Sequence, residues 1–402
     1  MSNKDLKNRA SIFFLLTVCI FISLSLHLFN GDDDHFFGTA LESRTLIEFL
    51  EWRYHTWTGR MLIEGLMVLT INHPWYWMVA IPLASVAVAA SITILAGYRD
   101  NAIYITSFIL CAVLVINHNV IMEAMWWVTG SYNYIQPIAA GLVSIVIHSR
   151  YQNCRKSLQF LSLILIVFSC FNEQFSVVVL IPYAILYTIF KKDYRFYNLL
   201  YLAFSVIFTT FSLTAPGNKA RSIAETASWM PDYANLGLVE KVALGFDRLS
   251  THISEQNIVF TSFILFISFF AIKKGKLNIP SLIAVFVLLF KAATFFVFTR
   301  YSETLNLFTH SDFLDFGAIS NPTTFIPYIF SLIVLFSCIQ IISTFCKDIN
   351  DVMLLVLPFV LGSASVVLIG MSPTVYASGY RVLFVFNLSI IFIAATIARK
   401  PF

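Results

Sequence analysis

The residues best suited to chemistry come in one run, Gly31-Asp32-Asp33-Asp34-His35, directly after the apolar segment 11–29. Three adjacent carboxylates at the edge of such a segment repel one another and lose solvation. At least one of them then holds its proton more tightly, unless a cation or hydrogen-bond donors compensate. A carboxylate tuned in this way is what proton transfer uses. The same triplet also suits a solvated helix terminus at a membrane edge.

Four further stretches carry polar side chains where an apolar chain has little use for them. Glu51-Trp52-Arg53-Tyr54-His55-Thr56-Trp57-Thr58-Gly59-Arg60 reads as an interfacial aromatic belt, but it ends on a guanidinium beside a glycine. That combination suits bidentate capture of a phosphate. Trp126-Trp127-Val128-Thr129-Gly130-Ser131-Tyr132-Asn133 offers stacking faces next to hydroxyls and an amide, the surface on which a sugar sits, and it equally fits a second belt. Glu173 lies in the polar island Asn172-Glu173-Gln174 between two apolar runs, where a carboxylate is costly unless paired or functional. Pro216-Gly217-Asn218-Lys219-Ala220-Arg221 breaks a helix and sets two cations at the membrane surface, and Arg381 opens the last apolar segment.

The elements that must position these groups are membrane helices. Of the 402 residues 58% are hydrophobic and 12% charged, with a mean hydropathy of +0.79, against about 25% charged in soluble domains. The fold class read from this is all-α, a polytopic membrane protein of about twelve helices forming a single integral domain. The predicted spans are 11–29, 75–97, 102–117, 134–148, 158–171, 175–190, 197–214, 257–272, 279–299, 323–345, 351–370 and 381–398. Predicted outer loops are 30–74, 118–133, 215–256 and 300–322, the last with Arg300, Glu303, Asp312 and Asp315. The stretch 38–72 is amphipathic and predicts interfacial helices or a short extra span.

Basic clusters fall at alternate loops: Lys4, Lys7 and Arg9; Arg150, Arg155 and Lys156; Lys191, Lys192 and Arg195; Lys273, Lys274 and Lys276; Arg399 and Lys400. The positive-inside rule puts them, and both termini, in the cytoplasm. The unusual polar residues then face outward. No glycine-rich phosphate loop is present, so a cytoplasmic nucleotide reaction is not expected, nor is a nucleic-acid partner. The six cysteines, Cys154 among them, show no paired metal-ligand spacing and read as apolar fillers.

The ordered set of an Asp-Asp pair after the first span, Trp57-Thr58-Gly59-Arg60, Trp127-Val128-Thr129-Gly130-Ser131-Tyr132-Asn133-Tyr134, Asn172-Glu173-Gln174, Pro216 to Arg221 and Tyr380-Arg381 resembles the phage-type O-antigen serotype-conversion glucosyltransferases and their bacterial relatives. The similarity runs over nearly the whole chain. It implies a GT-C-like membrane glycosyltransferase sited in a bacterial inner membrane with its active site facing the periplasm; such proteins often carry a soluble C-terminal domain, and none is expected here, where Pro401-Phe402 follows the last span. The implied donor is a polyprenyl-phosphate-linked sugar, with glucose the expected sugar. The acceptor is a surface polysaccharide (the O-antigen of lipopolysaccharide) or a lipid-linked glycan, and a donor-lipid synthase and flippase are expected partners beside membrane lipids. Asp33 and Asp34 match the acidic pair as candidate general bases, with Asp32 an extra residue. Arg60, Lys219, Arg221 and Arg381 become candidates for the donor phosphate, and Trp126, Trp127, Asn133 and Glu173 for sugar contact. No cofactor is assigned, and a divalent metal on the aspartates stays open because no further ligand set is legible. Two other classes fit about twelve helices: a lipid or polysaccharide transporter, favoured by inverted repeats and mid-span charges such as Lys291, and a non-catalytic assembly subunit.

Overall fold

The computed structural model describes residues 3–28, 31–150, 155–191, 193–255, 257–275, 277–297, 314 and 322–400. Cys154, Lys192, Lys276, Arg300, Glu303, Asp312 and Asp315 lie outside the described residues, as does the side chain of Asp32. Among the described residues the chain is all-helical, without a strand. An apolar chain in lipid has to satisfy its backbone within each segment, and helices do so.

Seven helices are long and apolar enough to cross a membrane: Leu6–Ser25, Pro74–Leu95, Glu173–Phe190, Arg195–Leu213, Thr323–Ser343, Ile349–Met371 and Arg381–Arg399. Two broken pairs bring the figure to nine if each crosses once. Ala102–Leu114 and His118–Trp126 meet at 104°, and Leu238–Ser254 and Ile258–Lys274 at 76°. The predicted spans 134–148 and 158–171 correspond to the helices Ile135–Arg150 and Lys156–Cys170, of 16 and 15 residues, and the span 279–299 to Ile279–Val297, of 19 residues. Seven to nine span-capable helices among the described residues mark the chain, by length and composition, as a membrane protein.

The predicted outer loops are mostly helical. The stretch 30–74 holds Asp32–Thr39, Leu46–Thr56 and Met61–Thr70. Thr45 and Glu48 form a capping box that starts the second of these. The segment 215–256 holds Pro216–Trp229, with proline at its first turn, and Leu238–Ser254.

Two compact units emerge from the packing. Unit 1 comprises Met1–Leu114 and Asn119–Pro231, and unit 2 comprises Val115–His118 and Asp232–Phe402. In unit 1, Pro74–Leu95 packs against Leu6–Ser25, Ala102–Leu114 and Ile135–Arg150, while Pro216–Trp229 lies on Leu46–Thr56. In unit 2, Ile349–Val367 packs between Leu238–Ser254 and the final helix Phe384–Arg399.

Candidate functional site

The acidic triplet opens the helix Asp32–Thr39, so Asp33 and Asp34 fall in its first turn, where the helix dipole favours negative charge. The turn divides them. Asp33 is exposed, whereas Asp34 is 5% exposed. The Oγ1 hydroxyl of Thr129, at the start of Val128–Asn133, donates a hydrogen bond to Asp34 Oδ1.

From Thr129 a chain of contacts leads to Arg60. Asn133 Nδ2 donates to the Thr129 carbonyl at 3.0 Å, one helical turn back. Its Oδ1 accepts from Arg60 Nη1 at 3.2 Å. Arg60 Nε donates to Glu173 Oε2 at 2.9 Å, and Ser212 Oγ donates to Glu173 Oε1 at 3.0 Å. Asn172 steadies the far end: it caps the turn Glu173–Phe175 by accepting from Phe175 N at 2.8 Å, and its Nδ2 donates to the Asn133 carbonyl at 2.7 Å. Four segments therefore meet in unit 1 through one hydrogen-bonded path from Asp34 to Glu173, and Ser212 adds a fifth.

Two π-helical turns flank this path, Met122–Trp126 before Val128–Asn133 and Ser176–Leu180 after Glu173–Phe175. Each adds a residue to a helical turn and so rotates the residues beyond it, a device found mostly at functional sites.

The backbone beneath Arg60 is fixed from both sides. Trp57 N and Thr58 N donate to the Arg53 carbonyl at 2.8 and 2.9 Å, and Gly59 N donates to Asn218 Oδ1 at 3.4 Å. A Cβ at Gly59 would collide with the carbonyl of Ser212, so the approach that this glycine permits is that of the protein's own backbone. Gly217 serves the reciprocal contact, because its missing side chain would meet the backbone of Trp57 and Thr58.

Electrostatics ties in a second guanidinium. Arg221, half-buried on Pro216–Trp229, pairs with Glu225 at 3.4 Å and lies 5.9 Å from the centre of the Trp57 ring. Burial and the neighbouring Arg60 charge lower its pKa, while Glu225 and Glu173 oppose them. For Arg60 burial, the largest single influence, works in the same direction, but Glu173, Tyr134 and Glu64 together outweigh it, and its pKa is raised. Each guanidinium has its own glutamate, Glu173 for Arg60 and Glu225 for Arg221, and the two cations lie near enough to feel one another. Arg60 Nη2 makes no hydrogen bond to another described residue and its side chain is 27% exposed, so part of its fork is open.

Set against protein-family models, curated proteins and solved structures, the chain matches none of them. The site is therefore described by its own geometry.

Of the candidates read from sequence, Asp34, Asn133, Arg60 and Glu173 stand on the path and Arg221 beside it. Asn133 and Glu173, proposed as sugar contacts, each give one oxygen to Arg60 and use the other polar atom on Thr129 and Ser212 respectively. Lys219 is exposed on the helix that carries Arg221. Trp126 and Trp127 are half-buried, with Trp126 edge-on to Phe21 at 6.3 Å. Arg381 begins a short 3-10 turn in unit 2. Among the described residues no group of three His, Cys, Asp or Glu is placed to hold a metal. Sequence reasoning missed Thr129 as the link to Asp34, Ser212 as the second donor to Glu173, and Glu64 as the partner of Arg53. Nothing in the local sequence signals such pairings, because each is set by the packing of separate elements.

Proposed function

We propose that this chain is a membrane glycosyltransferase of the polyprenyl-phosphate-sugar-dependent kind, moving a hexose, with glucose expected, onto a surface polysaccharide. The reading takes a GT-C-like arrangement of about twelve helices in a bacterial inner membrane, with both termini cytoplasmic and the site on the periplasmic face. It counts the shorter apolar helices as crossings. A helix of about 15 residues is about 23 Å long, so these need a locally thinned bilayer.

The observation that carries the proposal is the hydrogen-bonded path that joins a buried carboxylate, Asp34, to a partly open guanidinium, Arg60. In the transfer, Asp34 takes the proton of the acceptor hydroxyl as its oxygen bonds to the sugar's anomeric carbon. The bond from that carbon to the donor phosphate breaks, and its electron pair stays on the phosphate oxygen. Arg60, with Arg221 close by, stabilises that departing anion. The positions of Trp126, Trp127 and Lys219 make them secondary in this scheme. A lipid-phosphate-sugar synthase and a flippase would supply the donor on the outer face.

The test is expression in a bacterium of defined surface polysaccharide, followed by sugar and linkage analysis. An added hexose that depends on Asp34 supports transfer, and an unchanged polysaccharide in cells shown to hold the donor lipid contradicts it. One observation favours a transporter instead: two apolar helix pairs are broken at a sharp angle, as discontinuous helices are in transporters. A transporter would move labelled lipid-linked sugar across vesicles and leave the polysaccharide's composition unchanged.

A further inference from the structure

Unit 2 holds a second polar cluster, at the break between Leu238–Ser254 and Ile258–Lys274. His252 is buried there, and its Nε2 lies 2.9 Å from Asn257 Nδ2 and 3.1 Å from Asn387 Nδ2. The orientation of the Asn257 amide is fixed by another task. Its Oδ1 accepts from Phe260 N at 3.1 Å as the N-cap of Ile258–Lys274, so its nitrogen has to face the imidazole. Nε2 is therefore the acceptor, and the ring proton sits on Nδ1. That proton points toward Glu255, whose Oε2 lies 3.8 Å from Nδ1. Neither atom has a hydrogen-bond partner among the described residues, and neither does Asn387 Oδ1, although all three are buried. Buried polar atoms left unpaired call for an explanation.

From these contacts we propose that His252 is a proton-binding site, with Glu255 as its counter-charge, coupled to the cap of the helix Ile258–Lys274. A proton on Nε2 turns an acceptor into a donor that faces two donors. Asn387 can answer by rotating its amide, which brings its unpartnered Oδ1 onto Nε2–H and gives up its 2.9 Å bond to the Leu383 carbonyl. Asn257 cannot rotate without withdrawing Oδ1 from Phe260 N. The new charge therefore acts on the first turn of the helix beyond the break, while on the other side of the ring the imidazolium gains the Glu255 carboxylate.

The surrounding charges set the balance. On the same helix, Arg248 stacks over the Tyr380 ring at 4.8 Å, and Asp247 accepts from Tyr328 and Tyr376 at 2.7 and 2.5 Å. Lys291 Nζ approaches the Ser254 carbonyl at 3.5 Å, and the Tyr380 hydroxyl donates to Glu255 Oε1 at 3.3 Å. Arg381 comes directly after Tyr380 in the chain, and the final helix contributes Asn387. Arg248 and Lys291 are the cations of this cluster, and Glu255 and Asp247 its carboxylates. Histidine is the side chain suited to switching between about pH 5 and 8.

The test uses the full chain in lipid nanodiscs and involves no sugar transfer, so its failure and that of the enzymatic reading are separate. Nitrogen NMR of labelled histidines, with His252 assigned by loss of its signal in His252→Asn, should show the Nδ1–H tautomer at about pH 8. Hydrogen exchange at Phe260, corrected for intrinsic rates, should rise about fivefold on acidification to about pH 5. Glu255→Gln should move that rise to lower pH, and His252→Asn should remove it. If His252→Asn does not fold, selective relaxation of the wild-type spectrum with Glu255→Gln still decides. An Nε2–H tautomer at high pH, or exchange at Phe260 indifferent to pH, overturns the proposal.

Discussion

Arg53 and Arg60 flank one tight turn, and each has a glutamate partner. Arg53 meets Glu64 through two parallel hydrogen bonds of 2.6 Å, from Nε and Nη2 to the two carboxylate oxygens. Both residues are buried, and the guanidinium lies within 6 Å of the ring centres of Phe36, Phe37, Trp52 and Trp57. Arg60 meets Glu173 through a single bond of 2.9 Å, and that glutamate also serves Ser212. The same two residue types thus make a closed pair in one place and an open one in the other. A closed buried pair fixes the turn that carries Arg60. An open pair leaves a guanidinium oriented but with donor capacity for an anion.

The largest expected effect belongs to the closed pair. Arg53→Ala strands the Glu64 carboxylate in an apolar, aromatic setting, a change that costs about 3–5 kcal/mol. Thermal unfolding in detergent should show that loss, and a variant as stable as wild type would end the distinction between the pairs. Arg60→Lys keeps the charge but cannot hold Glu173 and Asn133 while presenting a fork. Transfer should fall about 10- to 100-fold with stability little changed, and near-normal rates at matched expression would return Arg60 to the aromatic belt.

Smaller effects are expected around the open pair. Thr129→Val removes the hydroxyl that donates to Asp34 and should slow transfer about tenfold, with Thr129→Ser restoring most of the rate. A valine variant as fast as wild type would detach Asp34 from the path. Lys219→Ala, at an exposed position, should change transfer by less than about twofold. A loss as large as that of Arg60→Lys would show that the phosphate lies nearer Lys219.

The sequence made legible what local chemistry determines. Apolar runs predicted helices, and the polar islands at Arg60, Asn133 and Glu173 stood out because charge and amide are costly among apolar residues. Their meeting was not legible, since side-chain periodicity says nothing about which distant segments touch. For the same reason Asp34 could not be told from Asp33, as only the packing of Val128–Asn133 on the first turn of Asp32–Thr39 separates them. The breaks in Ala102–Trp126 and Leu238–Lys274 were hidden for a different reason. The residues at each break, Asn117-His118-Asn119 and Ser254 to Asn257, are polar enough to read as span ends next to loops, and the helices on their loop sides carry enough charge to read as loop. His252 and Glu255 went unnoticed although their three-residue spacing puts them on one helical face, a signal that was available.

The most direct measurement compares Asp34→Asn with Asp33→Asn in the purified protein, supplied with a polyprenyl-phosphate hexose and an acceptor glycan. Asparagine keeps the shape and the bond from Thr129 but cannot take the proton. If Asp34 is the base, transfer should fall about 10² to 10⁴ in rate for Asp34→Asn with unfolding unchanged, and stay within a few-fold of wild type for Asp33→Asn. Full activity of Asp34→Asn, or loss confined to Asp33→Asn, would contradict that assignment.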